Sequence, residues 1–386
     1  MRLPLALTSL CLLPSFAHAW GAAGHEIIAV ISEIHLHPSV LDYLRSPSSG
    51  LLPDYAKGHL APIATWPDRI RMIPEYRGWS GELHYGSWVG DHPPEVCAWP
   101  KDDGSEETTV QGEGDGGWKN EHDVLHAIAN YTTRLERNPQ ECVHASLPPV
   151  PSWASLRFLV HFIGDAHQPM HLTNRERGGN GDPVRWDGRR TNLHSLWDGL
   201  LIARNLREQR NYTEPLPSKQ IESALIGAIY DPHVRLLLWE GVRAWWRSSL
   251  PTWLACPSSS LSPPPQLVFS TTQQKDTKQI VCPVHWASGT HKVTCELAFP
   301  QGYDEHENPP VEVGGQTAYY RAIRDSLTTQ RLLTQAGLRL AATLNTIFRE
   351  PAAAYALEMG TAYDAVAEEG PLNLRWMAEA EEGFSY

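Results

Sequence analysis

Two histidine–aspartate pairs stand out for the chemistry they could do. His161 and Asp165 lie four residues apart in HFIGDAHQPMH, and His194 and Asp198 repeat the spacing in NLHSLWD. On a helix, residues four apart share a face, so each pair aims an imidazole and a carboxylate in one direction. Exposed helices carry such pairs for simple attraction, but these two sit in strongly apolar runs, where an unpaired charge is costly. Converging nitrogen and oxygen donors are how divalent cations, zinc above all, are held. Pro169 forces the chain out of the helix just before His171, a third imidazole. Upstream, Asp68 in TWPDRIR, His84 in GELHYGSW, and His25 add further donors. His167, between the candidates, reads either as a partner that orients a ligand or as a core histidine.

Helices must bring these donors together. Apolar residues recur at three- and four-residue spacing over 22–45, 120–137, 152–166, 194–208, 218–249 and 316–349. The expected fold is therefore mainly α, a single helical domain spanning 20–350. Strand signals are weak: Val184-Arg185-Trp186 runs into the turn dipeptide Asp187-Gly188, which predicts one small β-hairpin around 182–192. Two stretches read as long surface loops, about 99–119, rich in Gly and acid, and 255–315, with three consecutive prolines from Pro263. The helical pattern resumes after each, so they are excursions on one domain. Residues 351–386 form an acidic C-terminal tail, expected to be a solvated, frayed end.

The chain has 386 residues, 41% of them hydrophobic, and shows no repeat, which excludes a disordered or collagen-like protein. Arg2, the apolar run from Leu3 to Phe16, and Ala17-His18-Ala19 make residues 1–19 a signal peptide cleaved before Trp20. The mature chain then has 386 − 19 = 367 residues, and losing Arg2 takes the formal charge from −12 to −13. A new α-amine at Trp20 has a pKa well below that of lysine, so a metal can displace its proton. Trp20 thereby joins His25 as a candidate ligand. No later run approaches the roughly 18 apolar residues of a membrane span, so the product is expected to be secreted to the extracellular space, monomeric, off the membrane and without a stable protein partner. Cys11 leaves with the signal; Cys97, Cys142, Cys256, Cys282 and Cys295 remain, and five cannot all pair internally. Asn-Tyr-Thr sequons at Asn130 and Asn211 fit a glycosylated secreted chain.

The order W-x4-H, W-x-D, LHY, HFxGDxHQPxH, GGN, TNLHxxWD resembles that of the S1/P1 nuclease family of secreted, single-strand-specific zinc nucleases. It resembles bacterial zinc phospholipase C more distantly. The similarity runs from Trp20 to about Phe348 and takes in CPVHWA at 282 and AGLRLAATLN at 336. It implies a helical fold of the zinc phospholipase C/P1 nuclease type and three Zn2+ per chain. One ion would rest on Asp68, His84, His161 and Asp165; a second on the Trp20 amine and carbonyl, His25 and Asp165, with Asp165 bridging the two; the third on His171, His194 and Asp198. Arg71 resembles the family's phosphate-clamping arginine and counts with Asp68 and Asp165 as catalytic. Tyr85 sits where the family stacks an aromatic on a nucleobase, and Asn180 of the GGN motif joins Arg71 and Tyr85 as a substrate contact. Ser87 stands where fungal members carry a base-reading Asp, so their base preference does not carry over.

Zinc pairs lower the pKa of water into the near-neutral range, and a third ion can neutralise a leaving 3′ oxygen. The expected function is hydrolysis of phosphodiester bonds in single-stranded RNA and DNA to 5′-nucleotides, with 3′-nucleotidase activity. The alternative is a phospholipase C acting on phospholipid head groups with the same nine ligands. A structural zinc protein fits less well, because structural sites are closed by four protein ligands and the third set has three. A charge of −13 lacks the basic stripe of a duplex binder. Only cations in a cleft would draw a flexible polyanion in.

Overall fold

The computed structural model describes residues 20–99, 122–136, 147–256, 280–361 and 370–382. The expected signal peptide, nearly all of the first loop and Cys142 lie outside the described residues. The helices that position the site are α1 (Ala22–Ile34), α2 (Val124–Glu136), α3 (Ser152–Asp165), α4 (Pro283–Glu296) and α5 (Thr328–Ile347). Ile27, Ile28, Ile31 and Ile34 follow the helical period and are all buried, which makes α1 a central helix. It packs on α5, where Gly337 permits the approach: a Cβ there would stand 2.6 Å from Ile31 Cγ2 and 3.0 Å from the Ile28 carbonyl. The α2–α3 contact is aromatic, with Tyr131 stacked on Phe158 at 4.8 Å.

The expected hairpin is present: β1 (Pro183–Trp186) pairs antiparallel with β2 (Arg189–Asn192), Val184 facing Thr191. Asp187 and Gly188 take φ of 49° and 79°, the left-handed pair that tight two-residue hairpin turns require. The Arg185 amide donates to the Val311 carbonyl and the Arg185 carbonyl accepts from the Val313 amide, which lays a further short segment beside β1.

Several periodic runs prove to be interrupted. The run 22–45 stops at Ile34 and restarts at Pro38, because proline suits the first turn of a helix and not its interior. Within 218–249, Gly227 takes φ +78°, and the Asp231 carboxylate accepts from the Gly227 and Ala228 amides, so a fresh helix begins at Asp231. Leu327, at φ 53°, separates Ala318–Asp325 from α5. Over Leu196–Leu200 the helix widens into a π-helical stretch that contains Asp198.

Three expectations need correction. The excursion at 255–315 contains α4, a 14-residue helix pinned by two disulfides, Cys97–Cys295 and Cys256–Cys282. Where it is described, the acidic tail is not a frayed end: Arg349–Met359 and Arg375–Glu382 are helical, and Trp376 is only 1% exposed, edge-on to His35 and Trp239. Asn373 donates from its backbone to the His35 carbonyl and from its side chain to that of Leu36, docking the tail on the end of α1. Asn130 is 0% exposed within α2, which removes it as a surface glycan acceptor, whereas Asn211 is exposed. No helix among the described residues is long and apolar enough to cross a membrane.

Candidate metal centre

The C-terminal half of α3 supplies His161 and Asp165, and both are fully buried. His25 comes from the first turns of α1, Asp68 from the short helix Trp66–Ile70, and His84 from a turn at Glu82–His84. The two Asp165 oxygens face different partners. Oδ2 lies 3.0 Å from His84 Nδ1 and 3.3 Å from His161 Nε2; Oδ1 lies 3.3 Å from His25 Nε2 and 3.7 Å from His171 Nδ1. Asp68 Oδ1 sits 3.9 Å from both His84 Nδ1 and His161 Nε2. Beside this group, His194 Nε2 is 3.1 Å from Asp198 Oδ2, and His171 Nε2 is 4.0 Å from Asp198 Oδ1.

Backbone carbonyls fix which ring nitrogen carries the proton. His161, His171 and His194 each donate from Nδ1, to Ala64 at 2.7 Å, His84 at 2.7 Å and Gly178 at 2.6 Å. Each Nε2 is left as the acceptor nitrogen turned toward the carboxylates, with that of His161 also 3.1 Å from His84 Nδ1, the tautomer a metal ligand needs. The His194 contact depends on the Gly178-Gly179 turn: Gly178 has φ +67°, and a Cβ there would lie 2.6 Å from the Met170 carbonyl. Asn192 caps the following turn by accepting from the Ser195 amide at 2.7 Å, so the hairpin hands the chain directly to His194. His25 is held by stacking on His161 at 3.8 Å, against the side of α3 that Gly164 leaves open.

The electrostatics are those of a cation site. Burial, reinforced by Asp68 and Asp198, holds the Asp165 carboxyl well above the usual range, and burial raises Asp198 as well. Burial and then the neighbouring imidazoles push His25 and His171 well below the usual histidine value, so both stay neutral. For His194, burial opposes the charged form, but the Asp198 carboxylate and the Gly178 carbonyl together outweigh it and the net direction is upward. Among the described residues, Asp68 Oδ1, Asp165 Oδ1, Asp198 Oδ2 and the Nε2 atoms of His25, His171 and His194 are buried without a hydrogen-bond partner. Orphaned donors that converge like this cost stability unless a cation fills the space between them. The donor chemistry, imidazole with carboxylate, suits zinc. Three groups of potential ligand atoms therefore share one buried region: Asp68, His84 and His161; His25, His161 and Asp165; His171, His194 and Asp198.

The other expected site residues divide. Trp20 is buried, and the next residue, Gly21, donates to the Asp198 carbonyl at 2.7 Å, which places Trp20 and Gly21 against a candidate ligand. Arg71 hydrogen-bonds Tyr85 and has Nη2 4.0 Å from Asp68 Oδ1, on the rim of the cluster. The Tyr85 ring stacks on His171 at 4.6 Å, and burial pushes its phenol up to about 12, so it stays protonated. Ser87 is partly exposed two residues on. Asn180 turns its amide into its own loop, donating to the Arg177 carbonyl at 2.8 Å. His167 belongs to the core: it donates to Ile163 at 2.6 Å and accepts from buried Arg339 at 2.7 Å. A fourth grouping, Asp91, His291 and Cys295, loses its sulfur to the disulfide with Cys97 and keeps too few donors for an ion.

Two residues that the motif reading passed over shape the centre. Gln168, in the HQP sequence, contacts Asp198, and Gly164 makes room for His25. Both stand in the HFxGDxHQPxH motif, but nothing local shows that they meet Asp198 and His25.

Comparison with known proteins gives the same direction. The profile of the S1/P1 nuclease family matches residues 20–349. Endonuclease 4 of Arabidopsis thaliana is 29% identical over 336 residues, covering 86% of this chain and 90% of that protein. Nuclease S1 of Aspergillus oryzae is 32% identical over 51% of this chain and 58% of its own length; for nuclease P1 of Penicillium citrinum the figures are 34%, 46% and 57%.

Proposed function

Because this chain belongs to the S1/P1 nuclease family, we propose that it is a secreted, zinc-dependent endonuclease that cuts single-stranded RNA and DNA to 5′-nucleotides and removes phosphate from 3′-nucleotides. The observation that supports this most is the split of Asp165, whose two oxygens face separate sets of imidazoles. One carboxylate so placed can serve two ions, with Asp68, His84 and His161 completing one set and His25 with the Trp20 amine completing the other. His171, His194 and Asp198 would hold the third. Zinc bound there would supply an activated water at mild pH and charge neutralisation around a phosphodiester.

The chain's own groups bind and orient. Arg71, tied to Tyr85 at the rim, is positioned to take a phosphate oxygen through its guanidinium. Tyr85, a neutral phenol braced on His171, offers ring surface to an unpaired base, a contact that tolerates any sequence. Ser87, close by, presents a hydroxyl where a carboxylate would select a base, so a broad base tolerance is expected. The Trp20 amine exists only after residues 1–19 are removed, which couples completion of the site to secretion. Asn211, exposed, is the sequon suited to carry a glycan.

The phospholipase reading draws on one feature: Met72 and Ile73, directly after Arg71, are 58% and 46% exposed and give the rim an apolar edge. A release assay at equal enzyme concentration separates the two. Single-stranded RNA should be cleaved and phosphatidylcholine left intact; head-group release without nucleotide release would overturn the nuclease reading.

A further inference from the structure

We infer that Gln168 is a positioning residue that makes Asp198 a one-oxygen ligand; this rests on the three-ion reading above. Gln168 follows Asp165 by three residues and is 0% exposed. Its Oε1 accepts from the Met170 amide, and that bond settles which end of the side-chain amide is which. Nε2 must face Asp198, and it donates to Oδ1 at 2.5 Å. The other carboxylate oxygen, Oδ2, lies 3.1 Å from His194 Nε2 and has no other partner among the described residues. The protein thus occupies one oxygen and leaves the other for an ion.

Both ends of this link are anchored. The Pro169 carbonyl accepts from the Thr294 hydroxyl at 2.8 Å, which ties the Gln168 turn to α4, and the Asp198 carbonyl accepts from the Gly21 amide at 2.7 Å. A side-chain amide is suited to the place because it accepts at one end and donates at the other. A glutamate would set a further carboxylate against Asp198, and an apolar side chain would leave Oδ1 free to swing away from the third set. Gln168 therefore links the loop of His171 to the π-helical stretch of Asp198.

The test compares wild-type protein with Gln168→Met, which keeps the buried volume, and Gln168→Asn, whose amide is one methylene too short to span the gap. Each is loaded with zinc, desalted and titrated with a chelator, and zinc per chain is read by elemental mass spectrometry. Loss of an outer partner of a ligand commonly weakens metal binding about 10–100-fold. The expected result is that one of three ions is released that much more easily from both variants, while two are held as in wild type and the melting temperature of the chelated protein stays close to wild type. Three ions held as tightly as in wild type would overturn the role of Gln168. So would parallel loss of all three with a lower melting temperature of the chelated protein, since Gln168 would then be part of the core only. A wild-type chain holding fewer than three ions would instead remove the three-ion reading itself, and this inference with it.

Discussion

Gly164→Ala adds one methyl group to α3 and aims it at a ligand. The new Cβ would lie 2.8 Å from His25 Nδ1 and 2.9 Å from Cε1, where ordinary contact needs at least 3.4 Å. The ring must therefore retreat by about 0.6 Å, beyond the roughly 0.5 Å within which a working site holds its groups. It cannot retreat freely, because it is stacked on His161 at 3.8 Å and the same Cβ meets Ile28 Cδ1 at 3.3 Å. Overpacking of this kind costs about 1–3 kcal/mol. Expressed in ligand placement, that is about a 5- to 150-fold loss of affinity for the ion that His25 shares with Asp165, at about 1.4 kcal/mol per tenfold. The assay is chelator titration of the zinc-loaded variant with turnover on single-stranded RNA measured in parallel. A Gly164→Ala protein with wild-type zinc affinity and turnover would show that the position of His25 does not matter, and would refute the reasoning.

Adding one Gly before Trp20 moves the α-amine off the ligand position; zinc content and activity should both fall, and full activity with the extra residue verified by mass spectrometry would remove the amine from the mechanism. Burial lowers His35 and His233 from 6.5 to about 4 each, so the unfolded chain takes up protons that the folded chain does not. Their stability contribution is complete above pH 6.5 and drains away between there and pH 4, by up to about 1.4 kcal/mol per pH unit per group; a denaturation series should show this slope and His35→Gln should flatten it, whereas an unchanged slope would acquit His35. Trp376→Ala empties a fully packed site under the docked tail and should cost about 3–5 kcal/mol in chemical denaturation; a loss under 1 kcal/mol would mean that the tail contributes little to the fold.

The clustering of the candidate ligands was legible because imidazole and carboxylate four apart in apolar sequence report both their chemistry and their facing. The hairpin was legible in Asp187-Gly188 because positive φ at two successive positions is something few dipeptides supply. Interruptions in the long helical runs were less so: Gly227 and Leu327 act through backbone conformation, which periodicity does not register. The tail was misread because six glutamates set its composition, while Leu372, Trp376 and Met377, whose burial marks its docking, are only three apolar side chains near the end. The Asn130 sequon shows the converse, a motif complete in sequence whose asparagine is closed off by burial within α2. Gln168 and Gly164 depend on partners 30 and 139 positions away, at Asp198 and His25, and no local pattern specifies such a meeting.

The central claim is that Asp165 serves two ions while the third is held without it. Asp165→Asn keeps the side chain's shape and removes the charge that would balance two dications. Zinc per chain, counted by elemental mass spectrometry on correctly processed protein that starts at Trp20, tests this directly. Three ions are expected in wild type and one in Asp165→Asn, retained by His171, His194 and Asp198, with turnover lower by about 10³-fold, as for removal of a central electrostatic group. An Asp165→Asn protein that still holds three zinc ions and turns over substrate at the wild-type rate would contradict it.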